Sequence, residues 1–264
     1  MLFPVEGHMG KRFGVILKTW RNIRRFSQLS LSVETGLSSR HISFLETGRA
    51  KPSRGSVLTL ARALELPKTI VNDALLAAGF APEFPTHDLS DENLKPMMQA
   101  MMTILDNHAP LPAIIIDGDW QLVGGNAPAM HLMQFLPFNG STCVVDALLN
   151  DDPADPIFLN WGVIAAWTLT RLQLETSRIG KTGLLMELYQ RLARDPRCAK
   201  LNGVPSDGNA PFLAMTARIQ GRRLSFFTML AEFTTAQDVT MSERRVELFF
   251  AGDDATQQYF ERLS

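Results

Sequence analysis

The sequence contains only two cysteines, Cys143 and Cys198, among its 264 residues. Two cysteines are too few for a disulfide framework, and their spacing matches no metal site. They suit a reducing compartment, and we expect the protein to be cytoplasmic. The N-terminus has no apolar run of signal-peptide length, and no segment approaches 18 uninterrupted apolar residues. We therefore expect no membrane span.

Enzyme signatures are also missing from the sequence. It has no HExxH zinc motif and no G-x-S-x-G nucleophile motif, and its five histidines are isolated. The segment IGKTG at 179–183 ends like a phosphate loop, but the first glycine of that motif would fall at Glu175. We expect no enzymatic activity and no resident cofactor. A haem or metal at His108 and His131 is an alternative that their spacing does not support.

Charge is distributed unevenly along the chain. The net charge is −1, yet residues 1–80 hold 12 Lys and Arg against 5 Asp and Glu, while residues 81–264 hold 14 against 22. A basic first part joined to an acidic second part predicts a module that binds a polyanion, followed by a module with a different function.

The first 80 residues show five short helical patterns bounded by capping residues. Apolar residues recur at helical spacing, Ser27 and Ser53 are placed as N-caps, and Gly36 and Gly48 end two of the helices. The predicted helices lie near 10–25, at 28–35 and 38–46, after Ser53, and from Pro67, in its first turn, to Gly79. The segment rich in Pro, Asp and Ser that follows predicts a linker at 81–95.

The second module, at 96–264, mixes strands and helices. A hairpin is predicted around Gly118, a second hairpin at 212–235, and a last strand before the final helix near 254–263. Helical patterns lie between them, and a methionine stripe at 97–102 is a deformable lid, a dimer seam or ordinary core. An antiparallel sheet with segregated helices is an α+β arrangement. The predicted fold class is therefore two domains, an all-α five-helix bundle and an α+β domain.

The helix at 38–46 has two chemically different sides. On a helical wheel Ile42 and Leu45 fall together on the inward side. The opposite arc carries two hydroxyls, a guanidinium and an aromatic ring, from Ser39, Ser43, Arg40 and Phe44. Arginine pairs with guanine edges, serine with several bases, and apolar groups with the thymine methyl. The alternative is that Phe44 packs on protein and Arg40 is only solvated.

The stretch RRFSQLSLSVETGLSSRHISFLETGRAKPS, with LARALELP after it, resembles the Cro/phage-repressor type of helix-turn-helix found in XRE-family regulators. The resemblance implies that Gln28 touches the DNA backbone and that Ser39, Arg40, Ser43 and Phe44 lie in the major groove. It further implies that DNA phosphates are held by backbone amides at two helix starts, those at Ser38 and Ser53. Three cations assist them: Arg49, Lys51 and Arg54. In the family a residue matching Glu46 pairs with an arginine of the first helix, here Arg21, as a structural ion pair.

The segments AAGFAPEF, NAPAM, LSFFTMLAEF and QDVTMSERRVELFFAGDDAT resemble regulators with an MmyB-like C-terminal domain. That resemblance implies a PAS-like fold that binds a small ligand, with fatty acids as the implied class.

Candidate ligand-binding residues combine apolar walls with a few polar groups. Asn126 and Asn160 are pocket polar groups or helix caps, and Arg171 meets a carboxylate head or is solvated. The apolar candidates are Met130, Met133, Trp161, Trp167 and Phe226, for which simple core packing is the alternative.

The sequence therefore predicts a ligand-responsive transcriptional regulator. A single helix-turn-helix contacts only a few base pairs, so we expect a homodimer on a pseudo-palindromic operator in double-stranded DNA. Two alternatives remain for the C-terminal domain: it binds haem or flavin, or it serves only dimerisation.

Overall fold

The computed structural model describes residues 6–179, 183–201, 214–233 and 235–263. These form two compact units, the first mainly from residues 6–86 and the second mainly from residues 87–263. The first unit thus continues a few residues past the predicted end at 80, and Phe80 and Phe84 pack against its core.

The first unit is built from five helices among the described residues. They are α1 (Glu6–Ile23), α2 (Gln28–Thr35), α3 (Ser39–Glu46), α4 (Arg54–Ala63) and α5 (Lys68–Ala77). The predicted caps explain the boundaries: Ser27 and Ser53 each form a capping box, and Gly36 ends α2 with a φ of 71°. Pro67 was predicted to lie in the first turn of the fifth helix. It lies one position earlier, at the N-cap of α5.

One apolar core joins these five helices. Its buried members include Phe13 and Trp20 of α1, Leu31 of α2, and Ile42 and Leu45 of α3. The backbones of α1 and α3 approach closely at Gly14, where an added Cβ would lie 2.5 Å from the carbonyl oxygen of Glu46. Only a glycine allows this approach, because any side chain would enter the space of the α3 backbone.

The second unit contains a five-stranded antiparallel sheet in the order β2-β1-β5-β4-β3. The strands are β1 (Ala113–Ile116), β2 (Leu122–Gly125), β3 (Met215–Ile219), β4 (Arg222–Glu232) and β5 (Arg245–Ala251). Both predicted hairpins are present, although the predicted start of β3 at 212–213 lies outside the described residues. The turn between β3 and β4 is formed by Gln220 and Gly221, both with positive φ.

Seven further helices of the described residues belong mainly to this part of the chain. They are α6 (Lys95–Asn107), α7 (Ala127–Met133), α8 (Val144–Leu149), α9 (Trp161–Ile179), α10 (Leu184–Ala193), α11 (Val239–Ser242) and α12 (Asp254–Glu261). Short 3₁₀ turns occur at Glu92–Leu94 and Pro196–Lys200. The helical and α+β parts together confirm the predicted two-domain fold class.

The two faces of the sheet pack against different helices. Because side chains alternate along a strand, Val246 and Leu248 of β5 point to one face and Phe249 to the other. The first face joins the core that contains Met101 and Leu105 of α6. Met101 of the methionine stripe is therefore core, whereas Met102 is exposed. The opposite face, with Phe249, belongs to the core beside the cavity described below.

Candidate functional site

The helix pair α2 and α3 has the geometry of a helix-turn-helix. Thr35 ends α2, Gly36 turns the chain, and the Ser38 hydroxyl accepts from the backbone N–H of His41 at the start of α3. Ile42 and Leu45 are completely buried. The opposite arc of α3 lies at the surface, with Arg40 exposed and Ser39, Ser43 and Phe44 half-buried.

Arg40 and Phe44 form a pair on this outer arc. They lie one helical turn apart, and the Arg40 guanidinium is 5.4 Å from the centroid of the Phe44 ring. A cation over an aromatic face at this distance is held by a cation–π interaction. The half-buried Phe44 is not among the residues that pack against the core of this unit. The Phe44 ring therefore contacts the Arg40 guanidinium and does not pack against the core.

Beneath this arc, Glu46 accepts hydrogen bonds from two helices. Arg21 donates through Nε at 2.5 Å and through Nη2 at 3.1 Å, and its Nη1 donates to the carbonyl of Phe26 at 2.8 Å. The Gln28 amide donates to the same carboxylate at 2.8 Å. The network joins α1, α2 and α3 at one buried carboxylate. The side-chain amide of Gln28, which was expected to contact the DNA backbone, thus donates one hydrogen bond within the protein.

The remaining DNA-binding candidates lie around the helix starts. Ser53 caps α4 through the N–H of Ser56, while Arg49 and Lys51 are exposed between α3 and α4. Arg54 forms an ion pair with Glu83. A phosphate would have to compete with that carboxylate for the Arg54 guanidinium.

The second unit contains a cavity of about 120 Å³ between one face of the sheet and helices α7, α8 and α9. Its lining is mostly apolar, and the charged or hydroxyl-bearing side chains among the described residues that line it are Thr168, Arg171 and Glu247. A mostly apolar enclosure with a few polar groups is typical of a small-molecule site.

Four of the predicted ligand-binding residues meet in this cavity. Met133 comes from α7, Trp167 and Arg171 from α9, and Phe226 from β4. On α9 the lining residues are Ile164, Trp167, Thr168 and Arg171. Their spacing of three and four residues places them on one face of the helix.

The other four predicted residues lie outside the lining. Asn126 is buried, and it accepts from the N–H groups of Ala113 and Ala129 and donates to two carbonyl oxygens, those of Leu105 and Leu111. The Asn160 side chain donates to the carbonyl of Ala214 and accepts from the N–H of Thr216, the two neighbours of the first residue of β3. Both amides are occupied by backbone groups: Asn126 caps the start of α7, and Asn160 ties the residue before α9 to β3.

Trp161 and Met130 are likewise used elsewhere. The Trp161 indole donates to the carbonyl of Leu148 at 2.8 Å, and the Arg197 guanidinium lies 3.9 Å from its ring centroid. Met130 is exposed on α7. Neither side chain lines the cavity.

Arg171 is the centre of a buried charge network at one wall of the cavity. Its Nε donates to Glu175 at 3.1 Å and its Nη1 to Glu247 at 3.2 Å, while the indole rings of Trp120 and Trp167 lie 4.5 and 5.2 Å away. Glu175 also accepts from Arg245 at 2.5 Å and from the Trp120 indole at 2.7 Å.

The environment of Glu175 favours its ionised form. Burial alone would raise the pKa of this carboxyl, but the hydrogen bonds and charges of Arg245, the Trp120 indole and Arg171 outweigh burial and lower the pKa below its ordinary value. The network is therefore a set of ion pairs in which each carboxylate is held by hydrogen bonds.

Sequence reasoning missed Trp120 and Glu247 as cavity residues. Glu247 had a signal: Arg245, Glu247 and Phe249 alternate along a strand, so two charges share a face with a core aromatic ring. Trp120 lies in the first hairpin with a φ of 61°, a turn conformation that the sequence pattern does not indicate.

The described residues offer neither a metal site nor a membrane-spanning helix. They contain no cluster of three or more His, Cys, Asp or Glu side chains arranged to hold a metal ion. None of their helices combines the length and the apolar composition that crossing a membrane requires.

A helix-turn-helix unit followed by an α+β unit with an apolar cavity is the layout of a transcription regulator with a ligand-binding domain. The model of the MmyB-like transcription regulator ligand binding domain matches residues 97–263, and the chain belongs to this family. The resemblance to regulators with an MmyB-like C-terminal domain is thereby confirmed.

A curated relative is similar to part of the chain. It is the uncharacterized HTH-type transcriptional regulator y4dL of Sinorhizobium fredii (strain NBRC 101917 / NGR234), which is 37% identical over 62 residues. The match covers 24% of this chain and spans about a third (32%) of that relative.

Among solved structures, an RNA-binding light-oxygen-voltage receptor aligns with 98% of this chain and 64% of its own, at 14% identity and a TM-score of 0.29. A likeness at that TM-score does not establish a shared fold.

Proposed function

We propose that this regulator binds a specific double-stranded DNA sequence through α3 and changes its DNA binding when a small apolar ligand occupies the cavity. The observation that carries the proposal is that α3 has one buried apolar side and one surface side with polar groups and an aromatic ring. Ile42 and Leu45 are fully buried, while Arg40 stands exposed over the Phe44 ring beside two serine hydroxyls. That outer arc has the donors and the apolar group that major-groove recognition uses.

The DNA partner is a pseudo-palindromic operator bound by a cytoplasmic homodimer. One copy of α3 spans only a few base pairs, and a two-fold pair of modules adds a second half-site about one helical turn away. Arg49 and Lys51, beside the start of α4, then position the module on phosphates without contributing sequence preference.

The ligand is a fatty acid or acyl derivative, bound with its chain against the apolar walls of the cavity. The volume of about 120 Å³ limits how much of the chain enters. An apolar cavity of about 150 Å³ holds benzene, so this conformation accommodates roughly six heavy atoms. Longer chains require the walls to move or the chain to extend out of the cavity.

The DNA contacts are tested by selection from a random duplex library with the full-length protein and two variants. Arg40→Ala removes a base-contacting donor, so we expect the selected consensus to lose preference at one position, at a cost of about 1–3 kcal/mol for the cognate site. Arg49→Ala is the matched control. It weakens binding to all sequences alike and lowers the slope of log affinity against log salt by about 1.

A third variant separates two roles of Phe44. Phe44→Leu keeps an apolar group for a thymine methyl but removes the aromatic face under Arg40. We expect it to lose the same base preference as Arg40→Ala. A Leu variant with the wild-type consensus would show that the ring contributes only apolar contact. A protein that leaves DNA unbound at low salt would contradict the proposed function as a whole.

A further inference from the structure

Arg171 has an unused hydrogen-bond donor beside the cavity. The residue is 8% exposed, and its Nε and Nη1 are bonded to Glu175 and Glu247. Its Nη2 is buried and has no hydrogen-bond partner among the described residues. A buried donor without a partner destabilises the protein. An acceptor brought by a ligand therefore removes that destabilisation.

The charges around Arg171 are already balanced. Within its network the cations Arg171 and Arg245 face the anions Glu175 and Glu247, and the neighbouring Arg244 pairs with Asp117 at 3.6 Å. A carboxylate entering the cavity would add a third buried anion within the Arg171 network, which has two cations among the described residues. Burying a charge without a partner is costly, and like charges at close range add to that cost.

We infer that the cavity selects a ligand with an uncharged hydrogen-bond acceptor, such as a ketone, ester or amide carbonyl, which accepts from Nη2 of Arg171. This inference rests on the proposed function, since it concerns the same cavity. Of the two ligand classes proposed above, it favours the acyl derivative over the free fatty acid. The apolar walls hold the chain, and Arg171 holds the carbonyl.

Three probes of matched size test the inference. Hexan-2-one and pentanoate share a four-carbon chain attached to a carbonyl carbon. That carbon also carries a methyl group in hexan-2-one and a negatively charged oxygen in pentanoate. The third probe, n-hexane, has no hydrogen-bond acceptor. Binding to the full-length protein is followed by NMR through the indole N–H signals, which four tryptophans provide. Trp120 and Trp167 lie against Arg171 and report on its environment.

For the wild-type protein we expect hexan-2-one to bind about tenfold or more tightly than either other probe, because a hydrogen bond to a charged group contributes about 1.5–3 kcal/mol. Glu247→Gln leaves the network with an unbalanced positive charge. In that variant we expect pentanoate to gain about tenfold relative to hexan-2-one, which removes most of the wild-type preference.

A double variant, Arg171→Met with Glu247→Gln, removes the donor and keeps the charges balanced. We expect hexan-2-one and n-hexane to bind it alike. If the double variant retained the preference for hexan-2-one, Arg171 would have only a structural role and the inference would be overturned.

Two other outcomes distinguish the inference from the proposed function. If the wild-type protein prefers pentanoate, the inference is overturned and the cavity stands as the ligand site. If none of the three probes binds the wild-type protein, the cavity is not the ligand site and both proposals fall. The wild-type comparison needs no variant to fold, and circular dichroism establishes the folding of the two variants.

Discussion

Glu46 and Arg40 lie on the same short helix and have opposite environments. The Glu46 side chain is 3% exposed and bonded to both Arg21 and Gln28, whereas Arg40 is at the surface. A buried ion pair is a weak source of net stability, but breaking it leaves the remaining charge buried without a partner.

We therefore expect Glu46→Ala to lower the free energy of unfolding by about 3–5 kcal/mol, because it leaves the Arg21 guanidinium without its carboxylate. Arg40→Ala is the control and should change stability by no more than about 0.5 kcal/mol, as is usual for surface substitutions. Urea denaturation of both variants measures the difference. Equal midpoints would show that the ion pair does not hold α1 to α3.

At the scale of elements, the contact between α1 and α3 depends on a missing side chain. Gly14 is buried in α1, and an added Cβ would lie 2.5–2.6 Å from the carbonyl oxygens of Leu45 and Glu46. Backbone atoms of a helix cannot move aside individually, so the two helices would have to separate.

We expect Gly14→Ala to destabilise the protein by about 1–3 kcal/mol, the usual cost of overpacking, and to weaken DNA binding because α3 shifts. Gly55→Ala in α4 is the matched control. Its Cβ would meet only the Ser53 hydroxyl, at 4.0 Å, and alanine favours helix by up to about 1 kcal/mol. Thermal unfolding measures both variants. A Gly14→Ala protein as stable as wild type would contradict the close packing.

The elements that the sequence predicted well are those with local signals. Ser27, Ser53 and Gly36 bound helices through contacts a few residues away, so the pattern alone locates them. The short helix α8 was not predicted, because its six residues are too few to show a helical period and the Cys143 before it is not a typical capping residue.

The cavity was predictable only in part. Trp167 and Arg171 follow from the periodicity of one helix, but Glu247 joins them from a strand 76 residues away. Asn126 and Asn160 were ambiguous because an asparagine before a helix serves as a cap or as a pocket group equally well in sequence. Asn126 caps α7 and also bonds backbone groups 13 to 21 residues away, while Asn160 bonds the backbone at the start of β3, 54 and 56 residues away. No local sequence pattern contains those distant partners.

At the scale of the whole molecule, the two units have separate apolar cores. We expect calorimetry to show two unfolding transitions, since each core is cooperative by itself. Hexan-2-one should raise the transition of the sheet-containing unit, by the free energy of binding to the folded state. Glu46→Ala should lower the transition of the helical unit. One transition shifted by both changes would contradict independent unfolding.

The close approach at Gly14 also limits how a ligand can affect transcription. Because the backbones of α1 and α3 approach closely at Gly14, we expect α3 to keep its orientation within its unit. Ligand binding would then leave the affinity for an isolated half-site unchanged. In the proposed homodimer it would instead alter how well two modules fit the distance between half-sites, so the spacer length of the operator would determine which genes respond to the ligand.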